Sequence, residues 1–137
     1  YYPVSKKDLN KTDKRESGYC RVKVEGKDLS FYGKKIKTKN KNFWVYAANP
    51  GKIKKPTNSH PIVQSYVDLF IGGCFQIKEI YKINEFPKQC VETTTEWSKH
   101  WVNDRVHARR PFLVSNFYKI DNLLSNFFDY YLDNKYQ

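Results

Sequence analysis

Apolar and polar residues alternate in the first half of the chain as they do in β-strands. Residues 20–24 are Cys-Arg-Val-Lys-Val, the pattern of a strand with one buried face. Residues 25–28 supply turn chemistry before residues 29–32, which predicts either a hairpin or a strand followed by a short helix. Residues 43–48 are apolar on both faces, which favours a central strand. An Asn-Pro-Gly sequence at residues 49–51 is expected to end that strand.

The middle of the chain predicts a short helix, a strand and a second helix. Residues 62–70 are predicted to form the first helix, which the glycine pair at 72–73 would break. Residues 74–81 are rich in strand-forming side chains. Thr93 and Glu96 have the spacing of a capping box, which predicts a helix that carries Trp97 and Trp101 on one face.

The end of the chain predicts a last strand and a closing helix. Residues 105–116 favour a strand with Pro111 at its start or near an edge. Asp121 is expected to cap a helix with one apolar stripe. The stripe consists of Leu123, Leu124, Phe127, Phe128, Tyr131 and Leu132. In total the pattern predicts an α+β fold of about five strands and two or three helices, whose non-consecutive strands can close a small β pseudo-barrel.

The length and composition predict one domain. The 137 residues suffice for a single core, and residues 18–137 are expected to form it. Residues 1–17 are polar and lack an apolar period, which predicts a flexible basic lead-in or linker. No apolar run approaches the roughly 20 residues of a membrane span, so no membrane is expected among the partners. A chain without Met that begins at Tyr1 is expected to be an excised domain or a processed product, and other domains of a larger protein are candidate partners.

The positive charge is confined to the first part of the chain. Residues 1–60 hold 16 Lys and Arg against 5 Asp and Glu, whereas residues 61–137 hold 9 of each. Such an asymmetry predicts a polyanionic partner, whether nucleic acid, an acidic protein, a glycan or an anionic lipid surface. The alternative is a lysine-rich surface that only keeps the chain solvated.

Cysteine and histidine positions argue against metal, cofactor and catalytic chemistry. The three cysteines form no CxxC pair, and their odd number favours free thiols in a reducing compartment, the nucleus or the cytoplasm. The three histidines lack metal-ligand spacing. Motifs for a serine hydrolase, a phosphate-binding loop or a dinucleotide site are absent. The sequence therefore predicts neither an enzyme nor a metal or cofactor site.

Cations interleaved with aromatic residues give the candidate site. Single-stranded nucleic acid is bound by cations that follow the phosphates and by rings that stack on bases. The predicted cations are Lys34, Lys35, Lys37, Lys39, Lys41, Lys52, Lys54, Lys55, Arg109 and Arg110. The predicted rings are Trp44, Tyr46, Trp97 and Trp101, and Asn49 or Ser115 would read a base edge. Alternatively, the tryptophans are core residues.

Four short segments resemble the PUA-like superfamily, in particular its ASCH, EVE and YTH branches. They are residues 33–38, 43–48, 73–81 and 110–114, which are similar to the GxKxxT segment, to the strand after it, and to two later strands of ASCH domains. Residues 43–46 followed by Pro50 are also similar to the first strand of EVE domains. The resemblance implies a PUA-like pseudo-barrel that binds RNA or modified bases.

Together these observations predict a nucleic-acid-binding module that reads RNA or single-stranded or modified DNA. One alternative is an interaction module that docks an acidic protein, such as a chromatin or assembly scaffold. Another follows from the resemblance alone, since some ASCH proteins are amidohydrolases of acylated pyrimidine nucleosides. Lys35 and Thr38 match two residues of that activity by spacing, and Glu92 or Glu96 would be the third.

Overall fold

The boundary between two structural units of the chain falls at residue 54 in a computed structural model of the protein. The first unit comprises residues 1–54 and the second residues 55–137. The sequence predicts one domain over residues 18–137, and the boundary lies inside that range. The single domain stays a prediction. The structure describes residues 3–32, 37–110, 115 and 117–129.

The first unit begins with helix α1 (Lys6–Arg15), where the sequence predicted a flexible lead-in. The Ser5 hydroxyl caps the helix by accepting a hydrogen bond from the backbone N–H of Asp8 at 3.2 Å. Asp8 lies in the first turn, and Lys14 and Arg15 lie in the last turn, so the charges complement the helix dipole. The helix buries no residue, which explains why it leaves no apolar period in the sequence.

Strands β1 (Tyr19–Val24) and β2 (Phe43–Ala48) form a two-stranded antiparallel ribbon. The expected turn after β1 is a short 3-10 helix at Gly26–Asp28. Residues 29–32 do not form the expected second strand, because β1 pairs with β2 instead. Gly26 is required here, since a Cβ atom would lie 2.9 Å from the Thr38 hydroxyl oxygen.

The prediction that residues 43–48 form a central strand is wrong. In the described part of the first unit β2 pairs with β1 alone, and the Trp44 and Val45 side chains on its two faces are both exposed. No described residue of this unit is buried. A two-stranded ribbon of this kind is only marginally stable by itself. The described residues of the first unit therefore form no hydrophobic core of their own.

The second unit contains three helices and a small parallel sheet. Strand β3 (Ile62–Val63) leads directly into α2 (Gln64–Tyr81), and α3 (Phe86–Thr93) follows. Strand β4 (Trp101–Val102) pairs with β3, and α4 (Phe117–Ser125) comes last. The buried core joins the three helices. It consists of Val67, Ile71, Val91, Ile120 and Leu124.

The predicted break at residues 72–73 and the predicted strand at 74–81 are both wrong, because α2 continues through them. Each glycine costs a helix about 1 kcal/mol relative to alanine. Val67, Ile71 and Cys74 lie on the buried face of α2 at helical spacing. Burying an aliphatic side chain contributes about 1.5–3 kcal/mol, so core packing outweighs the glycine penalty.

The capping-box prediction is also wrong. Helix α3 begins at Phe86, with a proline in its first turn, and it ends at Thr93, after which Thr94 is extended. Trp97 follows in irregular chain, and Trp101 lies in β4.

Near the end of the chain, Asp121 lies inside α4 and is buried, so it does not cap the helix. The expected strand at residues 105–116 begins as a 3-10 helix, Arg105–His107. Residues 111–114 and 116 of that strand lie outside the described residues, as do Tyr131 and Leu132 of the predicted stripe.

The predicted mixture of helices and strands is confirmed. The described residues form four helices of eight or more residues and two separate two-stranded sheets, without a closed barrel. Among those residues, no helix combines the length and the apolar character needed to cross a bilayer.

Candidate nucleic-acid interface

The ribbon of the first unit has two chemically different faces. The register places Arg21 opposite Tyr46 and Lys23 opposite Trp44, and it places Val22 opposite Val45. Because successive side chains of a strand point to opposite faces, the cations share one face with Trp44 and Tyr46, whereas the valines share the other face with Phe43. We call the first the aromatic–basic face; its residues are Tyr19, Arg21, Lys23, Trp44 and Tyr46.

Arg21 connects the rings of this face to helix α1. Its guanidinium carbon lies 4.7 Å from the centroid of the Trp44 ring, a cation–π contact. Its Nη1 atom also lies 2.9 Å from Oδ2 of Asp13. Arg21 therefore holds the indole beside a fixed positive charge.

Tyr46 is anchored by the same carboxylate. Its hydroxyl donates a hydrogen bond to Oδ1 of Asp13 at 2.5 Å. Partial burial raises the pKa of Tyr46 above its usual value, and the hydrogen bond to Asp13 and its negative charge raise it further. The phenol therefore stays protonated at neutral pH and remains a donor. Asp13 thus orients both Arg21 and Tyr46 from one position on α1.

The rings of the face remain accessible. Trp44 keeps 39% of its surface exposed, and Tyr19 is more exposed still. Lys23 lies 3.7 Å from Glu25, and both side chains are largely exposed. A surface ion pair of this kind contributes little free energy, so the lysine can exchange Glu25 for a phosphate at small cost.

The predicted lysines of the first unit precede and follow β2 in the sequence. Lys37, Lys39 and Lys41 are exposed in the irregular segment before the strand. A turn shapes that segment: the Lys41 N–H donates to the Thr38 carbonyl at 3.1 Å, and Asn40 has a φ of 61°. Lys52 and Lys54 follow the strand and are exposed. Lys34 and Lys35 lie outside the described residues.

Asn49 has a structural use in this region. Its Oδ1 atom accepts a hydrogen bond from the Gly51 N–H at 3.0 Å and caps the 3-10 helix Pro50–Lys52. Asn49, which the sequence predicts to read a base edge, therefore has its side-chain oxygen engaged with the chain's own backbone. The alternative reader, Ser115, is exposed in the second unit.

The boundary at residue 54 separates the charged part of the chain from the rest. The first unit contains 15 Lys and Arg residues and 5 Asp and Glu residues, a net charge of +10 out of the chain's +11. The second unit is therefore nearly neutral. The net positive charge therefore belongs to the unit that carries the aromatic–basic face.

The two tryptophans of the second unit pack together. The rings of Trp97 and Trp101 are stacked with centroids 5.7 Å apart, and Phe128 lies 5.2 Å from Trp97. Each indole N–H is hydrogen-bonded, Trp97 to the Val91 carbonyl at 3.1 Å and Trp101 to Oε1 of Gln64 at 2.8 Å. Both rings pack against the hydrophobic core. Trp97 and Trp101 are therefore neighbours, but they do not share a helix face as the sequence predicted.

The remaining predicted cations also lie in the second unit. Lys55 is exposed, with its Nζ atom 3.9 Å from Oε2 of Glu96. Arg110 lies over the Tyr66 ring at 4.6 Å. The Arg109 side chain is exposed, and its backbone N–H donates to Asp104 at 2.8 Å. A role in binding for these three residues and for Trp97 and Trp101 stays a prediction.

Arg105 is committed to a buried network. Its guanidinium contacts Asp68 and Asp121 through four hydrogen bonds of 2.6 to 3.0 Å. Asp68 and Asp121 are only 5% and 2% exposed, and Gln64 donates a further bond to Asp68 at 2.7 Å. The network joins α2 to α4 and to the segment after β4. Its fully paired carboxylates make it a structural element rather than a reactive site.

Asp104 caps the start of α2. Its carboxylate accepts hydrogen bonds from the backbone N–H and the hydroxyl of Ser65, each at 2.8 Å, besides the Arg109 N–H. Burial by itself raises the pKa of Asp104, but these hydrogen bonds outweigh it, and the pKa of the carboxyl is lowered. The ionised carboxylate therefore stabilises the helix start.

Two neighbouring thiols, Cys74 and Cys90, lie outside the candidate interface. Cys74 is buried, and burial together with the neighbouring Cys90 thiol raises the pKa of Cys74 to about 12. The described residues contain no group of His, Cys, Asp and Glu that could hold a metal ion. Of the residues tied to the amidohydrolase alternative, Lys35 lies outside the described residues, and Glu92 and Glu96 are exposed.

Sequence reasoning missed Tyr19, Arg21, Lys23 and Asp13 as parts of the candidate interface. The alternation in residues 20–24 already placed the cations opposite the valines. Pairing that strand with residues 43–48 would have brought Arg21 and Lys23 beside the rings. Asp13 left no such signal, because its role depends on where α1 lies against the ribbon.

No protein-family model, curated protein or solved structure matches this chain.

Proposed function

We propose that this chain binds single-stranded nucleic acid, RNA or single-stranded DNA, through the aromatic–basic face of its ribbon. The observation that carries the proposal is the placement of Trp44 and Tyr46 beside Arg21 and Lys23 on one face, within a unit of net charge +10. Rings that stack on bases and cations that pair with phosphates are the two requirements of such a site.

Trp44 is the proposed stacking platform. Its exposed surface accepts a base, and the Arg21 contact fixes the orientation of the indole before the ligand arrives. The two contacts of Asp13 hold Arg21 and Tyr46 in place. An arrangement that is already ordered loses less conformational freedom on binding.

The lysines beside β2 supply the phosphate contacts. Lys37, Lys39 and Lys41 precede the strand, Lys52 and Lys54 follow it, and all five are exposed. A single strand can lay its phosphates along these cations while its unpaired bases meet the rings. A duplex would offer only its phosphates, because its bases are stacked on one another.

The resemblance to the PUA-like superfamily supports the same class of ligand. A PUA-like barrel, recognition of a modified base, and a nuclear or cytoplasmic location belong to this proposal as further expectations.

The test measures binding of labelled single-stranded RNA and DNA by fluorescence anisotropy, with Trp44→Ala as the key variant. Stacking contributes about 1–3 kcal/mol per base, so Kd should rise between roughly fivefold and 150-fold. Trp44→Phe keeps a ring and should restore most of the affinity. Val45→Ala is the matched control, because Val45 lies next to Trp44 but on the opposite face. Equal losses in Trp44→Ala and Val45→Ala would refute the proposed face.

Salt dependence separates a phosphate-tracking site from other contacts. For single strands, log K falls with log salt with a slope of about −0.7 per phosphate contact. Changing Lys37, Lys39 and Lys41 to glutamine together should reduce that slope by about 2. An unchanged slope would show that these lysines do not contact the ligand. Heparin serves as the control polyanion: if Trp44→Ala weakens heparin binding equally, the ring does not stack on bases.

A further inference from the structure

Helix α2 has an apolar stripe beside its buried face. The buried residues Val67, Ile71 and Cys74 occupy one side of the helix. Tyr66, Phe70, Gly73, Ile77 and Ile80 follow one another at spacings of four, three, four and three residues, which aligns them on an adjacent side. We call these five residues the outer stripe. Leu69 and Tyr81 lie beside it and are exposed.

Arg110 lies over the Tyr66 ring at one end of the outer stripe, and the rest of the stripe is apolar. Residues 69–77 contain no charged side chain, and Gln76 is the one polar residue among them. A surface helix normally turns charged residues to solvent on this side, so an apolar stripe of this length marks an interaction surface.

The stripe is symmetric about its centre. Gly73 is the middle residue, Phe70 and Ile77 lie three and four positions away, and Tyr66 and Ile80 both lie seven positions away. Two copies of α2 that cross antiparallel at Gly73 therefore bring Tyr66 of each copy against Ile80 of the other, and Phe70 against Ile77. A two-fold axis requires this kind of self-complementary surface.

Gly73 suits the crossing point. A Cβ atom built on Gly73 would meet no atom within 4 Å, so the glycine is not required by the fold of the unit itself. It costs the helix about 1 kcal/mol relative to alanine. Because Gly73 has no side chain, the backbones of two α2 helices can approach closely at this position.

The exposed apolar area of this part of α2 reaches the lower limit of a specific interface when all of it is covered. Tyr66, Leu69, Phe70, Ile80 and Tyr81 are each between 43% and 68% exposed. With on the order of 200 Å² for a free aromatic side chain and 150 Å² for an aliphatic one, these five expose about 500 Å². Two copies would bury about 1,000 Å², the lower limit of a specific interface, before Gly73, Gln76 and Ile77 are counted.

We propose that the chain forms a symmetric homodimer in which the outer stripes of two α2 helices pack antiparallel across Gly73. The proposal does not depend on the proposed function, because its residues lie in the second unit and none belongs to the aromatic–basic face.

Sedimentation equilibrium of the full chain tests the dimer. The expected result is a concentration-dependent shift from 16.4 kDa to twice that mass. Phe70→Glu should raise the dimer Kd more than tenfold, because it places a charge against Ile77 of the other copy. Val106→Glu is the matched control, since Val106 is almost fully exposed and lies outside α2. Circular dichroism checks that both variants fold. A monomer at all concentrations, or equal effects of the two substitutions, would overturn the proposal.

Cysteine cross-linking tests the antiparallel register, in a Cys20→Ser background that removes the exposed native thiol. Gly73→Cys should form a covalent dimer on mild oxidation, because its two copies meet at the axis. Tyr66→Cys should not, because its two copies lie about 20 Å apart along antiparallel helices. A mixture of Tyr66→Cys and Ile80→Cys chains should cross-link. Efficient cross-linking of Tyr66→Cys alone would overturn the antiparallel arrangement.

Discussion

Replacing Arg105 with methionine should strongly destabilise the second unit. The substitution keeps an apolar stem of similar length but removes all four hydrogen bonds to Asp68 and Asp121. Both carboxylates would remain where they are almost wholly buried, now without the Arg105 cation. Gln64 would still donate to Asp68.

The expected loss follows from the burial of the network. Removing one partner of a buried ion pair costs about 3–5 kcal/mol, because the remaining charge is left uncompensated. The Arg105 side chain retains 19% exposure, so water can reach the vacated space and the loss should lie near 3 kcal/mol. Since 1 kcal/mol shifts the midpoint of a domain this size by about 4–8 °C, the melting temperature should fall by more than about 12 °C.

Chemical denaturation followed by tryptophan fluorescence measures this loss. A Trp44→Phe background restricts the signal to Trp97 and Trp101, which pack against the core of the second unit. Arg109→Met is the matched control, and as an exposed arginine it should change the free energy of unfolding by less than about 0.5 kcal/mol. Adding Asp68→Asn and Asp121→Asn to Arg105→Met should recover part of the loss. A loss below about 1 kcal/mol for Arg105→Met would refute the reasoning.

Two further predictions concern single groups of the second unit. The lowered pKa of Asp104 means that its carboxylate stabilises the fold above the unfolded pKa of 3.8, and that this contribution is lost as pH falls through the lower folded pKa. Asp104→Asn should therefore lower stability at pH 7 and flatten the acid side of the pH–stability curve; parallel curves for the two proteins would contradict this. The exposed Cys20 should react rapidly with a thiol reagent, whereas Cys74 should react only on unfolding, because burial raises its pKa to about 12. Loss of the rapid phase in Cys20→Ser checks the assignment, and a rapid phase that persists in that variant would show it to be wrong.

Local patterns predicted several elements of the fold. The alternation at residues 20–24 and the apolar run at 43–48 both correspond to strands, and the Asn-Pro-Gly sequence ends the second strand as expected. The change in charge along the chain coincides closely with the boundary between the units. These features depend on neighbouring residues or on composition, so the sequence alone determines them.

Contacts between residues far apart in the sequence determined the elements that local patterns did not predict. Strand β1 pairs with a strand about twenty residues away rather than with residues 29–32, and no local turn signal specifies that choice. Residues 74–81 have the side chains of a strand but form a helix, because Ile71 and Cys74 bury against the rest of the core when α2 continues. Local propensities amount to about 1 kcal/mol per residue, and burial of core side chains exceeds them.

In the candidate interface, too, the sequence determined some features and the tertiary structure determined others. The sequence by itself determined that lysines surround a strand with large rings, because both features are consecutive in the chain. Only the tertiary structure decided which rings the cations accompany: Arg21 and Lys23 meet Trp44 and Tyr46 across the ribbon, whereas Trp97 and Trp101 pack with Phe128 against the core. The physical reason is that a ring is equally suited to a core and to a base. Its neighbours in space, rather than in sequence, determine which of the two it serves.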